Sequence, residues 1–397
     1  MQVLFQRHQP IPPQHPLARF PTLPVLGSMG DARSASAPRS RFLADDAVYT
    51  ASGKTATWLA LRLAGVGADS SVIVPAYHCP TMIHPILALG ARPLLVPVAA
   101  DLRVSLAAVE NIADAAVRAV LLPHFFGFLQ PEIEAIKAWC TRRGAILIED
   151  CAHAFYGAEG GSVLPGATGD FAIASTRKFF AASEGGALVA NGQRLALDLP
   201  RPSLTDELRG AYRMLAESLR YGALGLPSTR RYRLTAVAPV GPGSPEDALR
   251  EAGCAPARDD EIRGAGDARH CLRSTALLIR HAPHARIAAI RQQRFRRWQE
   301  ALAGLPSVEP FITDLRGCGV PYAFPVRLTR PEVHFPALKY AGVALWRWDQ
   351  LAVSDDPVSR RLAVELIQLP CQHSTSDTEF ERLVLQCRRA LQASSPA

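Results

Sequence analysis

Lys178 is the residue of this 397-residue chain with the clearest chemical potential. It lies between two apolar stretches, FAIAS before it and FFAA after it, so water cannot easily solvate its amine. Burial lowers the pKa of a lysine and makes it nucleophilic, as Schiff-base chemistry requires. The alternative is an amine that reaches the surface along an apolar stem. Only four of the 44 basic side chains are lysines, which makes each of them more informative.

Two further segments precede Lys178 at useful spacings. The segment SGKTA (52–56) stands where a helix is predicted to begin, and backbone N–H groups at a helix N-terminus can hold a phosphate. A plain helix N-cap is the alternative. The segment IEDCAH (148–153) places Asp150 at the carboxyl end of a predicted strand, the edge where open α/β sheets bind ligands. There too, an acid that only caps a helix is the alternative.

The order and spacing of these segments resemble pyridoxal-phosphate (PLP) enzymes of fold type I. Specifically, they resemble the DegT/DnrJ/EryC1/StrS family of sugar aminotransferases. SGKTA is similar to the family's S-G-T-x-A turn, VIVPAYHC (72–79) to its V-P-x-x-T strand, and IEDCAHA to its E-D-x-A-[QH]-A motif. Gly185 and Gly186 follow Lys178 as in K-x-x-x-x-x-E-G-G. The resemblance is good over residues 50–190 and weaker, but continuous, to the C-terminus.

The resemblance implies roles for three residues. Lys178 would bind PLP covalently and, once displaced by a substrate amine, move a proton. Asp150 would pair with the pyridine nitrogen and keep it protonated. His153 would contact the ring or its 3′ oxygen.

The resemblance also implies further cofactor contacts. Gly53, Lys54 and Thr55 would hold the phosphate, and Ser175 would add a hydroxyl. Lys54 replaces a usual threonine, so it either adds charge at the phosphate or points outward. His78 stands where the family commonly stacks an aromatic side chain on the cofactor, and it either stacks or packs inside its loop.

The activity implied is transfer of an amino group, commonly from glutamate, to a keto group on a nucleotide-linked sugar, by a homodimer. Other interpretations remain open: a PLP enzyme of the same fold acting on a non-sugar ketone or acyl substrate, or a non-catalytic PLP-binding protein. The chain departs from the family pattern at Ile173 and Ser175, and it lacks a recognisable neighbour-subunit motif near 262–275. Trp346 and Trp348 either line a different substrate pocket or fill a core.

The elements that must position these residues are predicted from apolar runs and helix-end signals. Alternating helices and strands predict an α/β fold with a large, mainly parallel sheet domain over 46–270. A smaller α+β domain follows over 271–397, and a proline-rich arm over 1–45 precedes both. Strands are predicted at 71–75, 94–98, 117–122, 145–148, 171–174, 187–190, 322–328, 343–348 and 366–369. Helices are predicted at 54–64, 81–89, 131–143, 205–223, around 287–302 and from 377 onward, with a surface loop at 238–246.

Composition excludes several other classes of protein. With 48% apolar and 20% charged residues the chain is not predominantly disordered. The net charge of +8 is spread along the chain, and no recognition motif accompanies Arg291, Arg294, Arg296 and Arg297, so we expect a solvated helix face and no nucleic-acid partner. The eight cysteines form no C-x-x-C pair, which predicts neither a disulfide framework nor a zinc site. Without a signal peptide or a membrane span, a soluble cytoplasmic protein is expected.

Overall fold

The structure is a computed structural model that describes residues 3–9, 15–27, 29–32, 36–158, 161, 163–222, 252–266, 268–312, 314–315 and 319–394. The loop predicted at 238–246 lies outside these residues.

The described strands and helices alternate along most of the chain. The strands are β1 (Leu4–Arg7), β2 (Val48–Thr50), β3 (Ser71–Pro75), β4 (Arg92–Val96), β5 (Val117–Pro123), β6 (Ile146–Asp150), β7 (Phe171–Ala174), β8 (Gly186–Ala190), β9 (Ala252–Pro256), β10 (Val308–Pro310), β11 (Ala323–Leu328), β12 (Gln350–Ala352) and β13 (Leu366–Pro370). The helices are α1 (Gly53–Leu63), α2 (Pro80–Ala88), α3 (Leu106–Ile112), α4 (Ile133–Arg143), α5 (Leu204–Arg220), α6 (Asp259–Arg263), α7 (Arg273–His281), α8 (His284–Leu302), α9 (Pro331–Tyr340), α10 (Pro357–Glu365) and α11 (Asp377–Ala393).

A seven-stranded sheet in the order β2-β8-β7-β6-β5-β3-β4 forms the centre of the molecule within the described residues. The five strands β7, β6, β5, β3 and β4 are parallel to one another. At one edge β8 is antiparallel to β7, and β2 is antiparallel to β8. Val72 and Val74 pack in one apolar layer with α1 and α2, while Ile73 between them packs in the other layer with α3 and α4. Burial on both faces explains why these strands are continuous apolar runs. The predicted α/β fold class is confirmed.

The sheet's register brings the ends of its central strands together. Pro123 of β5 is paired with Asp150 of β6, and Asp150 is paired with Ile173 of β7. Because these strands are parallel, the residues that follow each of them emerge at one edge. This edge therefore collects the segments that were predicted separately along the chain.

The C-terminal part contains a smaller antiparallel sheet, β10-β11-β13, which packs against α8, α9 and α11. The predicted strand over 343–348 is wrong. Val343, Ala344 and Leu345 are buried in this apolar core, where side-chain packing holds them as a loop, and their backbone pairs with no described strand. Only Trp346 makes an isolated bridge, to Gln368, and the short strand β12 comes later.

The N-terminal arm is more regular than its prolines predict. Strand β1 pairs antiparallel with both β12 and β9, and its Phe5 is buried. The arm also binds elsewhere in the fold, since the Val25 N–H donates to Ser374 Oγ and the Leu26 N–H to Ser218 Oγ, both at 2.9 Å.

The division into an arm and two domains at residues 45 and 270 stays a prediction. Among the described helices, none combines the length and apolar character needed to cross a bilayer.

Candidate functional site

A cavity of about 530 Å³ opens at the edge where the central strands end. Its floor comes from the residues that follow β5, β6 and β7, and one side comes from the start of α1. The opposite wall comes from the C-terminal part of the chain. The side chains and backbone that line the cavity include those of Ser52, Gly53, Lys54, Thr57, Cys79, His124, Asp150, Ala152, His153, Ser175, Lys178, Tyr322, Trp346, Trp348 and Gln368.

Lys178 reaches this cavity from a short 3₁₀ turn, Thr176–Lys178, that directly follows β7. Its amine lies 5.4 Å from the centre of the Tyr322 ring. Burial lowers the pKa of this amine, and the acidic groups of Cys79 and Asp150 oppose the shift only in part. A larger neutral fraction at a given pH makes the amine a better nucleophile and proton acceptor.

Asp150 is buried at the end of β6 and also faces the cavity. Its Oδ1 accepts a hydrogen bond from the Ala152 N–H at 2.9 Å. Burial raises the pKa of this carboxyl, while the charge of Lys178 lowers it in part. A buried carboxylate of this kind is stabilised by any cationic group that enters the cavity beside it.

His153 is held as a neutral ring in an aromatic stack. Its ring centre is 4.2 Å from that of Tyr322 and 5.8 Å from that of Phe126, with interplanar angles of 11° and 19°. Its Nδ1 accepts a hydrogen bond from the Phe126 N–H at 3.2 Å, so the proton of the neutral ring is on Nε2. Burial, with a smaller effect from the charge of Lys178, holds the pKa of His153 well below its usual value. His153 can therefore donate one hydrogen bond without carrying charge.

The predicted phosphate turn lies beside Lys178, but its residues do not all face the cavity. Ser52 caps α1, since its Oγ accepts from the Thr55 N–H and lies 3.0 Å from the Thr55 hydroxyl. Thr55 is therefore buried behind the turn, whereas Gly53 and Lys54 line the cavity. The Lys54 amine donates to the carbonyl of Glu261 at 2.9 Å. The close packing of Gly53 leaves little room, because an added Cβ would lie 3.1 Å from Cβ of Ser175, which also lines the cavity.

His78 is not among the residues that line the cavity. Its Nδ1 lies 3.0 Å from the carbonyl oxygen of Pro75, and its Nε2 accepts from the Ala352 N–H at 3.0 Å. The ring thus holds β12 against the loop after β3. Burial lowers the pKa of His78 to about 4, which keeps the ring neutral. Of the two interpretations of this residue, the structure favours packing inside the loop.

Sequence reasoning missed a buried pair, formed by His124 and Glu149, that lies behind Asp150. His124 Nε2 lies 2.8 Å from Glu149 Oε2, and Glu149 also accepts three backbone N–H bonds from the loop 166–169. Cys151 is close enough to form a three-ligand cluster with them, but the Glu149 oxygens are already occupied and burial raises the pKa of the Cys151 thiol. We interpret this cluster as a hydrogen-bonded anchor for the strand end. The sequence signal for this anchor is the glutamate, Glu149, that directly precedes Asp150.

Aromatic and amide side chains from the C-terminal part close the cavity. Trp346 and Trp348 both line it, and Trp348 also packs against the apolar core. Gln368 lines it as well, and this side chain is only 1% exposed. Its Nε2 has no hydrogen-bond partner among the described residues. Tyr322 and Gln368 carry no local sequence signal, because the fold alone brings them here.

With this geometry described, the chain can be compared with known proteins. The sequence profile of the DegT/DnrJ/EryC1/StrS aminotransferase family matches residues 41–200. Over these residues the chain is similar to this family. The matched range contains strands β2–β8 together with the lysine, the aspartate and the turn at the start of α1.

Curated relatives match only part of the chain. The L-glutamine:2-deoxy-scyllo-inosose aminotransferase of Streptoalloteichus tenebrarius is 33% identical over 178 residues, covering 42% of each chain. The GDP-perosamine synthase of Vibrio cholerae is 30% identical over 151 residues, covering 36% of this chain and 40% of that one. The matches thus span about two fifths of these relatives. The crystal structure of the aminotransferase TlmJ from Streptoalloteichus hindustanus shares the fold over 88% of this chain and 87% of its own, with 20% identity and a TM-score of 0.60.

The close approach of β8 to the start of α1 gives a first prediction. An added Cβ at Gly186 would overlap the carbonyl oxygen of Ser52 and lie 2.6 Å from the Gly53 nitrogen. We expect Gly186→Ala to lower the free energy of unfolding by about 3 kcal/mol, because backbone must move to make room. Urea unfolding measures this. Gly67→Ala is the control, since an added Cβ there meets nothing within 4 Å; equal losses in both variants would contradict the packing described.

Proposed function

We propose that this protein is a PLP-dependent aminotransferase that acts on a keto group of a sugar or sugar-like ring. The observation that carries the proposal is the placement of Lys178 and Asp150. An amine of lowered pKa and a buried carboxylate share one cavity at the strand ends. The similarity of residues 41–200 to the DegT/DnrJ/EryC1/StrS aminotransferase family supports the same activity.

The residues present fit PLP. Lys178 offers the amine for a covalent link, and Asp150 offers a buried carboxylate for the pyridine nitrogen. The turn at the start of α1 offers backbone N–H groups and the Lys54 amine for a phosphate. Gly53 and Ser175 are packed closely enough there that a Cβ on Gly53 would crowd the cavity wall. When bound, PLP supplies the electron sink for amino transfer.

The roles of the protein's own groups follow from their environment. Lys178 Nζ, whose pKa burial lowers, would accept the proton taken from the substrate carbon and hold it for transfer. The Asp150 carboxylate would stabilise a protonated pyridine nitrogen by its negative charge. The neutral His153 ring would donate a hydrogen bond from Nε2. Tyr322 and Trp348 would exclude water from the cavity.

The lysine assignment is tested by mapping the covalent link. After incubation with PLP and reduction by borohydride, we expect the added mass on Lys178 alone, and none after Lys178→Ala. Lys137→Ala is the control, because its amine pairs with Asp170 at 2.6 Å, away from the cavity. Label on Lys54, Lys137 or Lys339 would show that the assignment is wrong.

The amino acceptor is proposed to be a hydroxylated ring, supported by the wall opposite Lys178. Trp346 and Gln368 exchange backbone hydrogen bonds of 2.9 and 2.8 Å, so their side chains emerge on the same side of this bridge. A flat aromatic face beside an unpaired amide suits a ring that presents C–H groups and hydroxyls. The names of the relatives include both a free cyclitol ketone and a nucleotide-linked sugar.

Gln368→Leu tests this acceptor site. We expect a roughly 10- to 100-fold loss of kcat/KM for the hydroxylated ketone, the cost of one lost hydrogen bond in a buried site. Pyruvate as acceptor has no hydroxyl to lose and should be little affected. The assay offers 2-deoxy-scyllo-inosose, scyllo-inosose and UDP- or dTDP-linked keto-sugars, with L-glutamate or L-glutamine as donor. If only keto acids or acyl ketones accept the amino group, the sugar assignment is wrong and the aminotransferase remains.

We also propose a cytoplasmic homodimer. The seven cysteines of the described residues are free thiols, as in a reducing compartment. Leu204, Leu208 and Tyr212 form an apolar stripe on α5 and are 76%, 65% and 72% exposed. Two-fold dimers commonly bury such faces.

A single charged substitution in this stripe tests the proposed dimer. We expect Leu208→Asp to convert the dimer to a monomer in sedimentation velocity, because a carboxylate cannot be buried there without a partner. Leu385→Asp, at an exposed leucine of α11, is the control and should leave the dimer intact. A wild-type protein that sediments as a fully active monomer would contradict the proposal.

A further inference from the structure

Helix α8 contains two arginines that the sequence predicts to be solvated but that the fold buries. Arg291 is 0% exposed and Arg294 is 2% exposed, so the expected solvated face is wrong at both positions. Burial lowers the pKa of each to about 10, and both stay charged at neutral pH. Removing a guanidinium from water costs several kcal/mol, which makes the contacts of each arginine informative.

The contacts of Arg291 differ from those of an ordinary ion pair. Within the described part of the chain no carboxylate pairs with it. Instead, one amino group donates to the backbone carbonyl of Lys178 at 2.7 Å, and the other to the carbonyls of Pro321 and Tyr322 at 3.3 and 3.1 Å. Its guanidinium also lies 4.5 Å from the centre of the Phe179 ring. One planar group thus joins the backbone at the lysine to the backbone at Tyr322.

Both joined residues line the cavity. Lys178 ends a three-residue 3₁₀ turn, and such short turns have weak internal hydrogen bonding. Its position therefore depends on contacts from outside the turn. Among the described residues, the bond from Arg291 is the shortest hydrogen bond to the Lys178 backbone. Tyr322 in turn stacks on His153 and lies under the lysine amine.

We propose that Arg291 is a positioning residue that fixes Lys178 relative to the Tyr322–His153 stack. The guanidinium does not touch the reacting atoms and acts through two backbone segments. Its planar fork is suited to this, because a lysine or glutamine cannot donate in both directions from one rigid plane. The catalytic consequence rests on the proposed function, whereas the effect on the position of Lys178 does not.

Arg294 provides a matched control on the same helix. It is also buried, but its bonds go to Gln372, Thr375 and, at 3.5 Å, the carboxylate of Asp377, and its guanidinium lies over Phe380. Within the described part of the chain, none of these residues is bonded to Lys178. Arg291→Gln and Arg294→Gln therefore remove equally buried charges, and only the first releases the lysine. Arg291→Lys and Arg294→Lys form a second pair that keeps the charge, for use where the glutamine variants fail to fold.

The first measurement needs no cofactor. Each variant, without PLP, is labelled with acetic anhydride across a range of pH, and mass mapping follows Lys178, with Lys137 as the internal reference. We expect the midpoint pH for Lys178 to rise in the Arg291 variants toward the ~10.4 of an exposed lysine, because a released turn lets the amine reach water. The Arg294 variants should keep the wild-type midpoint. The same midpoint in both pairs of variants would overturn the proposal.

The second measurement compares kcat and KM in the aminotransferase assay at a temperature where every variant is folded. We expect kcat to fall roughly 10- to 100-fold in Arg291→Gln, with the KM of the acceptor nearly unchanged, because the reacting amine is misplaced while the substrate wall is intact. Equal loss of kcat in Arg294→Gln would mean that both arginines only stabilise the core. If the wild-type protein transfers no amino group but its Lys178 midpoint depends on Arg291, the positioning role stands and the proposed function fails.

Discussion

The site depends on two groups of opposite charge that are buried together, the Lys178 amine and the Asp150 carboxylate. Burial lowers the pKa of the first and raises that of the second, and each charge partly offsets the shift of the other. Neither group would be tuned this way on a loop in water. The buried sheet is therefore a chemical requirement as well as a structural one, since it buries the strand ends from which both side chains reach the cavity.

Much of the surrounding structure serves to hold these two groups still. Asp150 and Glu149 are neighbours on β6, and successive strand residues point to opposite faces, so one faces the cavity while the other faces the loop 166–169. Burial alone would raise the pKa of Glu149, but its bonds from His124 and the loop lower it overall. The ionised Glu149 thus fixes the strand end on one side. Arg291 fixes the backbone of Lys178 on the other.

The sequence predicts the sheet and its two central residues because their signals are local. Unbroken apolar runs mark the buried strands, and the lysine and aspartate have a recognisable spacing. The wall of the cavity was not predictable in this way, because Tyr322, Trp346 and Gln368 are brought together only by the packing of the small sheet. The same holds for His78 and Arg291, each of which is hydrogen-bonded to a backbone group far away in sequence. The wrong strand at 343–348 has a related cause, since an apolar run can be buried as a loop when a core surrounds it.

On the proposed function, the reaction and the choice of acceptor would depend on different parts of the chain. The family match ends at residue 200, and within it lie the lysine, the aspartate and the turn at the start of α1. Tyr322, Trp346, Trp348 and Gln368 of the opposite wall come after that point, and Gln368 Nε2 has no hydrogen-bond partner within the described residues. A relative that matches only the first part therefore informs the reaction type, while the acceptor depends on side chains that the match does not include. A buried amide with no partner costs free energy unless a ligand supplies one, so the acceptor should be a molecule that hydrogen-bonds at that point.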